Sequence, residues 1–77
     1  MLSKRSVTIA GHRTSISLEE PFWRHLKRLA EADGMSLAAL VRSVDTARAG
    51  ETDPPNLSSA LRVYVLARLE GEHEPTP

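Results

Sequence analysis

The sequence predicts a mainly α-helical domain that begins with a short antiparallel β-hairpin and continues with three helices. Before residue 19 the chain is rich in Val, Ile, Thr and Ser, and its apolar residues fall at alternate positions, which is typical of strands. After residue 19 the apolar residues recur every three or four positions, as along one face of a helix. The chain has 77 residues and no cysteine, so we expect one small domain without disulfides or thiolate–zinc sites.

The hairpin is predicted from a change of parity. Large apolar residues alternate on both sides of Gly11, but Val7 and Ile9 are odd-numbered whereas Ile16 and Leu18 are even-numbered. A bulge at Gly11 or a hairpin that turns at Gly11-His12 would bring both sets to one face. We favour the hairpin, because glycine at the first position of a two-residue loop suits a type II′ turn. Its strands would cover residues 6–10 and 13–18, pairing Val7 with Ile16 and Ile9 with Thr14.

Local signals mark where each helix begins or ends. Pro21 suits a first helical turn, where its missing N–H costs nothing, and Gly34 is free to adopt the positive φ that ends a helix. Ser36 is a good N-cap for the second helix, and Pro54-Pro55 indicates a loop before the third. The predicted helices cover residues 20–32, 37–48 and 57–70. The apolar stripes of the first two helices consist of Phe22, Leu26 and Leu29, and of Leu37, Leu40, Val41 and Val44.

The third helix is apolar around nearly its whole circumference, and its apolar residues include Leu61 and Val65. A helix of this kind is buried on most sides, so in this short chain we expect it to contact another subunit. Oligomerisation would add burial to a chain whose size allows it to bury only about 60% of its unfolded surface. We expect one domain at residues 6–70, between a basic arm at residues 1–5 and a flexible acidic tail at residues 71–77.

The formal net charge is zero, yet the charges are unevenly distributed. The first 18 residues contain Lys4, Arg5 and Arg13 and no acidic residue, whereas the rest of the chain is mildly acidic. No apolar run is long enough to cross a bilayer, and we find no signal peptide. A cytoplasmic protein that does not associate with membranes is therefore expected.

The titratable residues do not predict catalysis. His12, His25 and His73 lack the spacing of metal ligands, and no serine lies in the strained turn of a nucleophile. We therefore expect no catalytic residues, no metal, no cofactor and no enzymatic activity.

The strand Thr14-Ser15-Ile16-Ser17-Leu18 runs directly into the first helix, and Gly34-Met35-Ser36-Leu37 opens the second helix, which continues through Leu40-Val41-Arg42. This order of elements, over residues 13–48, resembles the ribbon-helix-helix family of DNA-binding proteins. The whole pattern is most similar to small bacterial members that carry an extra C-terminal helix.

The resemblance implies an intertwined homodimer, in which strands from two subunits pair antiparallel in front of interlocked helices. The exposed face of this ribbon would enter the major groove of double-stranded DNA, with Arg13, Ser15 and Ser17 directed at the bases. The start of the second helix, at Met35, Ser36 and Leu37, would hold a phosphate. Lys4 and Arg5 would contact further phosphates. The expected dimer core consists of Ile16, Leu18, Phe22, Leu26, Leu29, Leu40, Val41, Val44, Leu61 and Val65.

Two functions stay open at this point. The leading hypothesis is a sequence-specific transcriptional regulator, such as a repressor, that binds operator DNA as a dimer or tetramer. The alternative is a protein-interaction module, antitoxin-like or a scaffold, with little DNA binding. If residues 6–10 pair with their own chain, a dimer would carry four strands spanning roughly 14 Å, whereas the major groove is about 12 Å wide. Such a hairpin would favour the alternative, and a positive patch on its exposed face would favour DNA.

Overall fold

Two antiparallel strands precede three helices, which confirms the predicted fold class. The structure is a computed structural model that describes the backbone of residues 1–73 and the side chains of residues 1–71. None of the helices in this part of the chain is long and apolar enough to cross a membrane. The elements are β1 (Leu2–Ile9), β2 (His12–Glu19), α1 (Glu20–Ala32), α2 (Leu37–Ala49) and α3 (Leu57–His73).

The hairpin turns at Ala10-Gly11, one residue earlier than expected. Both turn residues have positive φ, 50° and 82°, which is the signature of a type I′ turn. Val7 therefore lies opposite Thr14, and Ile9 lies opposite His12. The predicted pairing of Val7 with Ile16 and of Ile9 with Thr14 is wrong. Because the partners shift by two residues, every side chain keeps the face that the alternation predicted.

Several elements extend beyond their predicted bounds. β1 begins at Leu2 instead of residue 6, so most of the basic arm expected at residues 1–5 lies in the sheet. α2 ends one residue later than predicted, at Ala49, and α3 continues to His73. The first part of the expected tail is therefore helical, and residues 74–77 lie outside the described residues.

One face of the hairpin packs against the three helices and closes a core within a single chain. Nine of the ten residues expected in the dimer core are buried there, and Phe22 is half-buried. Trp23 takes the buried place expected for Phe22, because it lies three residues before Leu26 and so shares the buried side of α1 with it. That these residues also form an interface between subunits stays a prediction. The core residues are Val7, Ile9, Ile16, Leu18, Trp23, Leu26, Leu29, Ala30, Leu40, Val41, Val44, Leu61 and Val65.

Polar contacts fasten α3 to the rest of the fold. The Ser58 hydroxyl donates to the backbone oxygen of Ser17 at 3.1 Å, and Arg62 forms an ion pair with Glu19 at 2.9 Å. At the other end of α3, Arg68 forms an ion pair with Asp33, just beyond α1, at 2.8 Å. α3 is thus held against both the end of the sheet and the end of α1.

Candidate nucleic-acid interface

The face of the hairpin that points away from the helices is polar and basic. Alternation along two paired strands brings eight side chains to this face, which we call the outward face. Of these eight, six are exposed, and Ser17 and Glu19 are half-buried. Glu19 is the one acidic residue among them. The outward face consists of Leu2, Lys4, Ser6 and Thr8 on β1, paired in order with Glu19, Ser17, Ser15 and Arg13 on β2.

Two of these side chains carry unpaired positive charges. Neither Lys4 nor Arg13 forms an ion pair within the described part of the chain, where the four ion pairs use other arginines. The acidic residue of this face is Glu19, at the end of β2, and Arg62 neutralises it. The hydrogen bond from Arg62 lowers the pKa of Glu19 below its ordinary value, which keeps this pair charged. The outward face therefore presents net positive charge to a ligand.

The structure places Arg5 away from this face. Its guanidinium lies 2.7 Å from the Glu20 carboxylate and 5.3 Å from the centre of the Trp23 ring, a cation–π distance. The Trp23 indole in turn donates to the backbone oxygen of Ser3 at 2.9 Å. Arg5 thus joins β1 to α1, and this geometry does not favour the phosphate contact expected beside Lys4.

The start of α2 is the predicted phosphate site, and one of the backbone N–H groups expected to bind phosphate there is already hydrogen-bonded. The Met35 N–H donates to the Ala30 oxygen at 2.9 Å and the Gly34 N–H to the Glu31 oxygen at 3.1 Å. With Gly34 at φ 69°, this is a Schellman motif, which consumes the Met35 donor that the prediction had counted as free.

The free donors lie one step further along the chain. The Ser36 hydroxyl accepts from the Ala39 N–H at 3.1 Å, so Ser36 is the N-cap that the sequence predicted. The N–H groups of Leu37 and Ala38 lack intrahelical acceptors, as at any helix start. The donors that could meet an anion are therefore the N–H groups of Ser36, Leu37 and Ala38.

An open groove of about 620 Å³ separates the hairpin turn from α2. Arg42 lines it from α2 and forms no ion pair with any described residue. The sequence does place Arg42 on the groove side of α2, because Ala38, Arg42 and Thr46 are spaced four residues apart and so share one side of the helix. The groove residues are Thr8, Ala10, Gly11, Ala38, Ala39, Arg42, Ser43 and Thr46.

The free edge of β2 is partly covered. In a two-residue hairpin the pair beside the turn is hydrogen-bonded, and bonded pairs then alternate. Arg13, Ser15 and Ser17 therefore direct their backbone groups away from β1. At Ser17 the backbone oxygen already accepts from Ser58, so the edge to which a partner strand would add is open only near Arg13 and Ser15.

Across the described residues, no group of three or more His, Asp or Glu side chains lies close enough together to hold a metal ion. The chemistry of the surface is instead that of hydroxyls and guanidinium groups. Hydroxyls hydrogen-bond to any base, whereas an arginine can donate two hydrogen bonds to the O6 and N7 of guanine.

Comparison with known proteins covers nearly the whole chain. A family model described as a ribbon-helix-helix domain matches residues 2–69. Among solved structures, an uncharacterized protein from Bordetella pertussis Tohama I is similar, with 32% sequence identity and a TM-score of 0.72. The similarity covers 94% of this chain and 60% of that one, so this chain spans less than two thirds of the other protein. No curated protein matches the chain.

Proposed function

This chain belongs to the ribbon-helix-helix family, whose members often bind DNA, and from that premise we propose that it is a sequence-specific DNA-binding transcriptional regulator. The observation that carries the proposal is the outward face of the hairpin, which combines hydroxyls with the unpaired charges of Lys4 and Arg13. This face is the part of the chain that we propose to enter the major groove.

The dimensions of the hairpin support this mode of binding. Neighbouring strands lie about 4.8 Å apart, so the two strands of one hairpin fit a major groove about 12 Å wide, which accepts a two-stranded ribbon. Four strands, as in two hairpins joined side by side, would span roughly 14 Å and would not fit. We therefore propose that each hairpin enters the groove by itself.

We propose different roles for the basic residues. Arg13 would donate to guanine and provide about 1–3 kcal/mol of base discrimination. Lys4 and Arg42 would contact phosphates and contribute affinity without sequence preference. The free N–H groups at the start of α2 would hold one further phosphate. Ser15 would contribute contacts of low selectivity, and half-buried Ser17 fewer still.

The test is a fluorescence-anisotropy titration of the purified protein against genomic DNA fragments at low salt. Arg13→Ala is expected to weaken binding to the preferred fragment roughly 5- to 150-fold, the equivalent of about 1–3 kcal/mol. Arg13→Lys keeps the charge but loses the paired donors, so it should lower discrimination between fragments more than overall affinity. Lys4→Ala should reduce the salt dependence of log K by about one.

The matched control is Lys27→Ala, which removes an exposed positive charge on α1, outside the hairpin. This variant is expected to bind as the wild type does. A chain in which Lys4, Arg13 and Arg42 are all replaced by alanine should lose its affinity. Undiminished binding by this triple variant would overturn the proposed interface.

A second candidate is a protein-interaction module of the antitoxin or scaffold type. It is favoured by β1, which pairs with β2 of its own chain, and by exposed apolar residues on α3. The same titration separates the two candidates, because a protein-interaction module would show no salt-dependent affinity for any fragment.

A further inference from the structure

The groove between the hairpin turn and α2 combines ample space with a single positive charge. Its volume of about 620 Å³ lies in the range of small-ligand pockets, roughly 300–1,000 Å³. Half of the residues that line it have side chains no larger than a methyl group, so a ligand can approach the backbone. Arg42 supplies the one charge in the lining, and none of the lining residues is acidic.

The polar side chains of this groove are free to bind a ligand. Among the described residues, the side chains of Thr8, Arg42 and Ser43 form no hydrogen bond or ion pair. Arginines that fasten this fold together, such as Arg5 and Arg62, each contact a carboxylate and an aromatic ring. Arg42 makes neither contact with a described residue, so its guanidinium donors are available to a ligand.

The backbone of β1 adds further polar groups to the same groove. Hydrogen-bonded pairs alternate along the hairpin from the pair beside the turn, so Thr8 and Arg13 form a pair that is not hydrogen-bonded. The Thr8 N–H and C=O therefore point away from β2, toward the free edge of β1. Because Thr8 also lines the groove, it offers a bound ligand a backbone donor, a backbone acceptor and a hydroxyl.

We propose that this groove binds a small monocarboxylate that carries hydroxyl groups, such as a sugar acid. The planar guanidinium of Arg42 would hold the carboxylate through two parallel hydrogen bonds. The Ser43 hydroxyl and the polar groups of Thr8 would bind the hydroxyls of the ligand, which both donate and accept. A single positive charge matches a carboxylate better than a phosphate monoester, which carries about −1.5 to −2 charges at neutral pH.

Such a ligand would also weaken DNA binding, and this part of the inference rests on the proposed function. The proposed function assigns Arg42 to a DNA phosphate, and Thr8 lies opposite Arg13 on the outward face. A carboxylate bound to Arg42 would neutralise its charge, so the DNA complex would lose one phosphate contact. Each such contact contributes about 0.9 to the slope of log K against log salt, so we expect DNA affinity to fall roughly 3- to 10-fold near 0.1 M salt.

The first test measures ligand binding in the absence of DNA. Sodium gluconate, a sugar acid, is titrated into isotope-labelled protein at constant ionic strength, and the amide NMR signals of Gly11, Ala39 and Ser43 should shift in a saturable way. Hexanoate has the same chain length without hydroxyls and should bind at least roughly fivefold more weakly. Sorbitol has the hydroxyls without the carboxylate and should cause no saturable shift. Hexanoate that binds as tightly as gluconate, or inorganic phosphate that binds more tightly, would overturn the proposal.

Variants separate binding in the groove from a general attraction of anions to positive charge. Arg42→Ala should weaken gluconate binding roughly tenfold or more, because hydrogen bonds to a charged group are lost. Ala39→Leu keeps this charge and fills the groove from an exposed position on α2, so it should weaken binding as strongly. Arg28→Ala removes an exposed arginine of α1 outside the groove and is the matched control, which should bind as the wild type does. Unchanged gluconate binding by Ala39→Leu would show that charge alone attracts the anion, and the proposal would fail.

The second test repeats the DNA titration with and without saturating gluconate, with sodium chloride as the control for ionic strength. Gluconate should weaken DNA binding by the wild type roughly 3- to 10-fold and should have no such effect on Arg42→Ala or Ala39→Leu. Circular dichroism should show unchanged helix content in these variants. Undiminished DNA affinity with the groove occupied would overturn the effect on DNA binding. Gluconate binding by a protein that binds no DNA would overturn only the proposed function, because the NMR titration contains no DNA.

Discussion

Replacing Ala10 by asparagine tests the register of the hairpin. Ala10 occupies the first position of the turn at φ 50°, a left-handed conformation that costs a non-glycine residue about 1–2 kcal/mol. Asparagine tolerates this conformation, and Asn-Gly is the preferred pair in a type I′ turn. Ala10 is exposed and lines open grooves, so the larger side chain has space. We expect Ala10→Asn to raise the free energy of unfolding by about 0.5–1 kcal/mol.

The measurement is a urea titration at a fixed protein concentration, because any self-association would make the measured stability depend on concentration. Trp23 is the one tryptophan in the chain, and its bond to the Ser3 oxygen makes its fluorescence report on the docking of β1. For a domain of this size the expected gain corresponds to a rise in melting temperature of roughly 2–8 °C. Gly11→Ala is the control for the method and should destabilise, because φ 82° is unfavourable for alanine.

The opposite result for Ala10→Asn would refute the reasoning. With a turn at Gly11-His12, Ala10 would be the last residue of the strand, where asparagine is unfavourable. The variant would then be less stable than the wild type, and Val7 would lie opposite Ile16. Gly11→Ala is destabilising with either turn, so only Ala10 distinguishes the two registers.

The remaining predictions concern contacts inside the fold. Trp23→Phe removes the indole donor to Ser3 and some buried volume, so it should cost about 1–3 kcal/mol in urea denaturation. Ser36→Ala removes the N-cap of α2 and should cost about 0.5–2 kcal/mol in the same assay. The hydrogen bond from Arg68 lowers the pKa of Asp33, so this pair stabilises the fold above the ordinary carboxylate pKa of about 4 and ceases to do so as the pH falls through the lowered value. The melting temperatures of the wild type and Arg68→Met should therefore differ at neutral pH and converge in acid.

Each of these expectations has an outcome that contradicts it. If Ser36→Ala costs no more than Ser43→Ala, a change at an exposed position within α2, then Ser36 does not act as a cap. An unchanged stability of Trp23→Phe would mean that β1 is not held to α1 through the indole. A difference between wild type and Arg68→Met that is the same at every pH would assign the effect of Arg68 to packing or to its bond with the Tyr64 hydroxyl.

The helices could be predicted because their signals are local. Pro21 lies in the first turn of α1, Gly34 has the positive φ that ends this helix, and Ser36 caps α2, as the sequence indicates. The turn of the hairpin could not be settled in this way, since Gly11 suits both the first position of a type II′ turn and the second position of a type I′ turn. The start of β1 was missed because its inward residues there, Ser3 and Arg5, are polar and contact α1. Such contacts appear only when distant segments meet.

The candidate site was predictable to a similar extent. Alternation along β2 places Arg13, Ser15 and Ser17 on one face, and the error in the register did not change this because it was a shift by two residues. The role of Arg5 depends on where α1 places Trp23, which no local pattern shows. The loss of the Met35 donor, by contrast, follows from the glycine that ends α1, because a Schellman motif uses the N–H of the residue after that glycine.

The edges of the hairpin and its width together restrict how two chains can act on DNA. β1 pairs with one edge of β2. On the other edge, the Ser58 hydroxyl donates a hydrogen bond to the backbone oxygen of Ser17. A partner strand added to β2 would therefore compete with the first turn of α3, and the resulting sheet of roughly 14 Å would exceed the width of the groove.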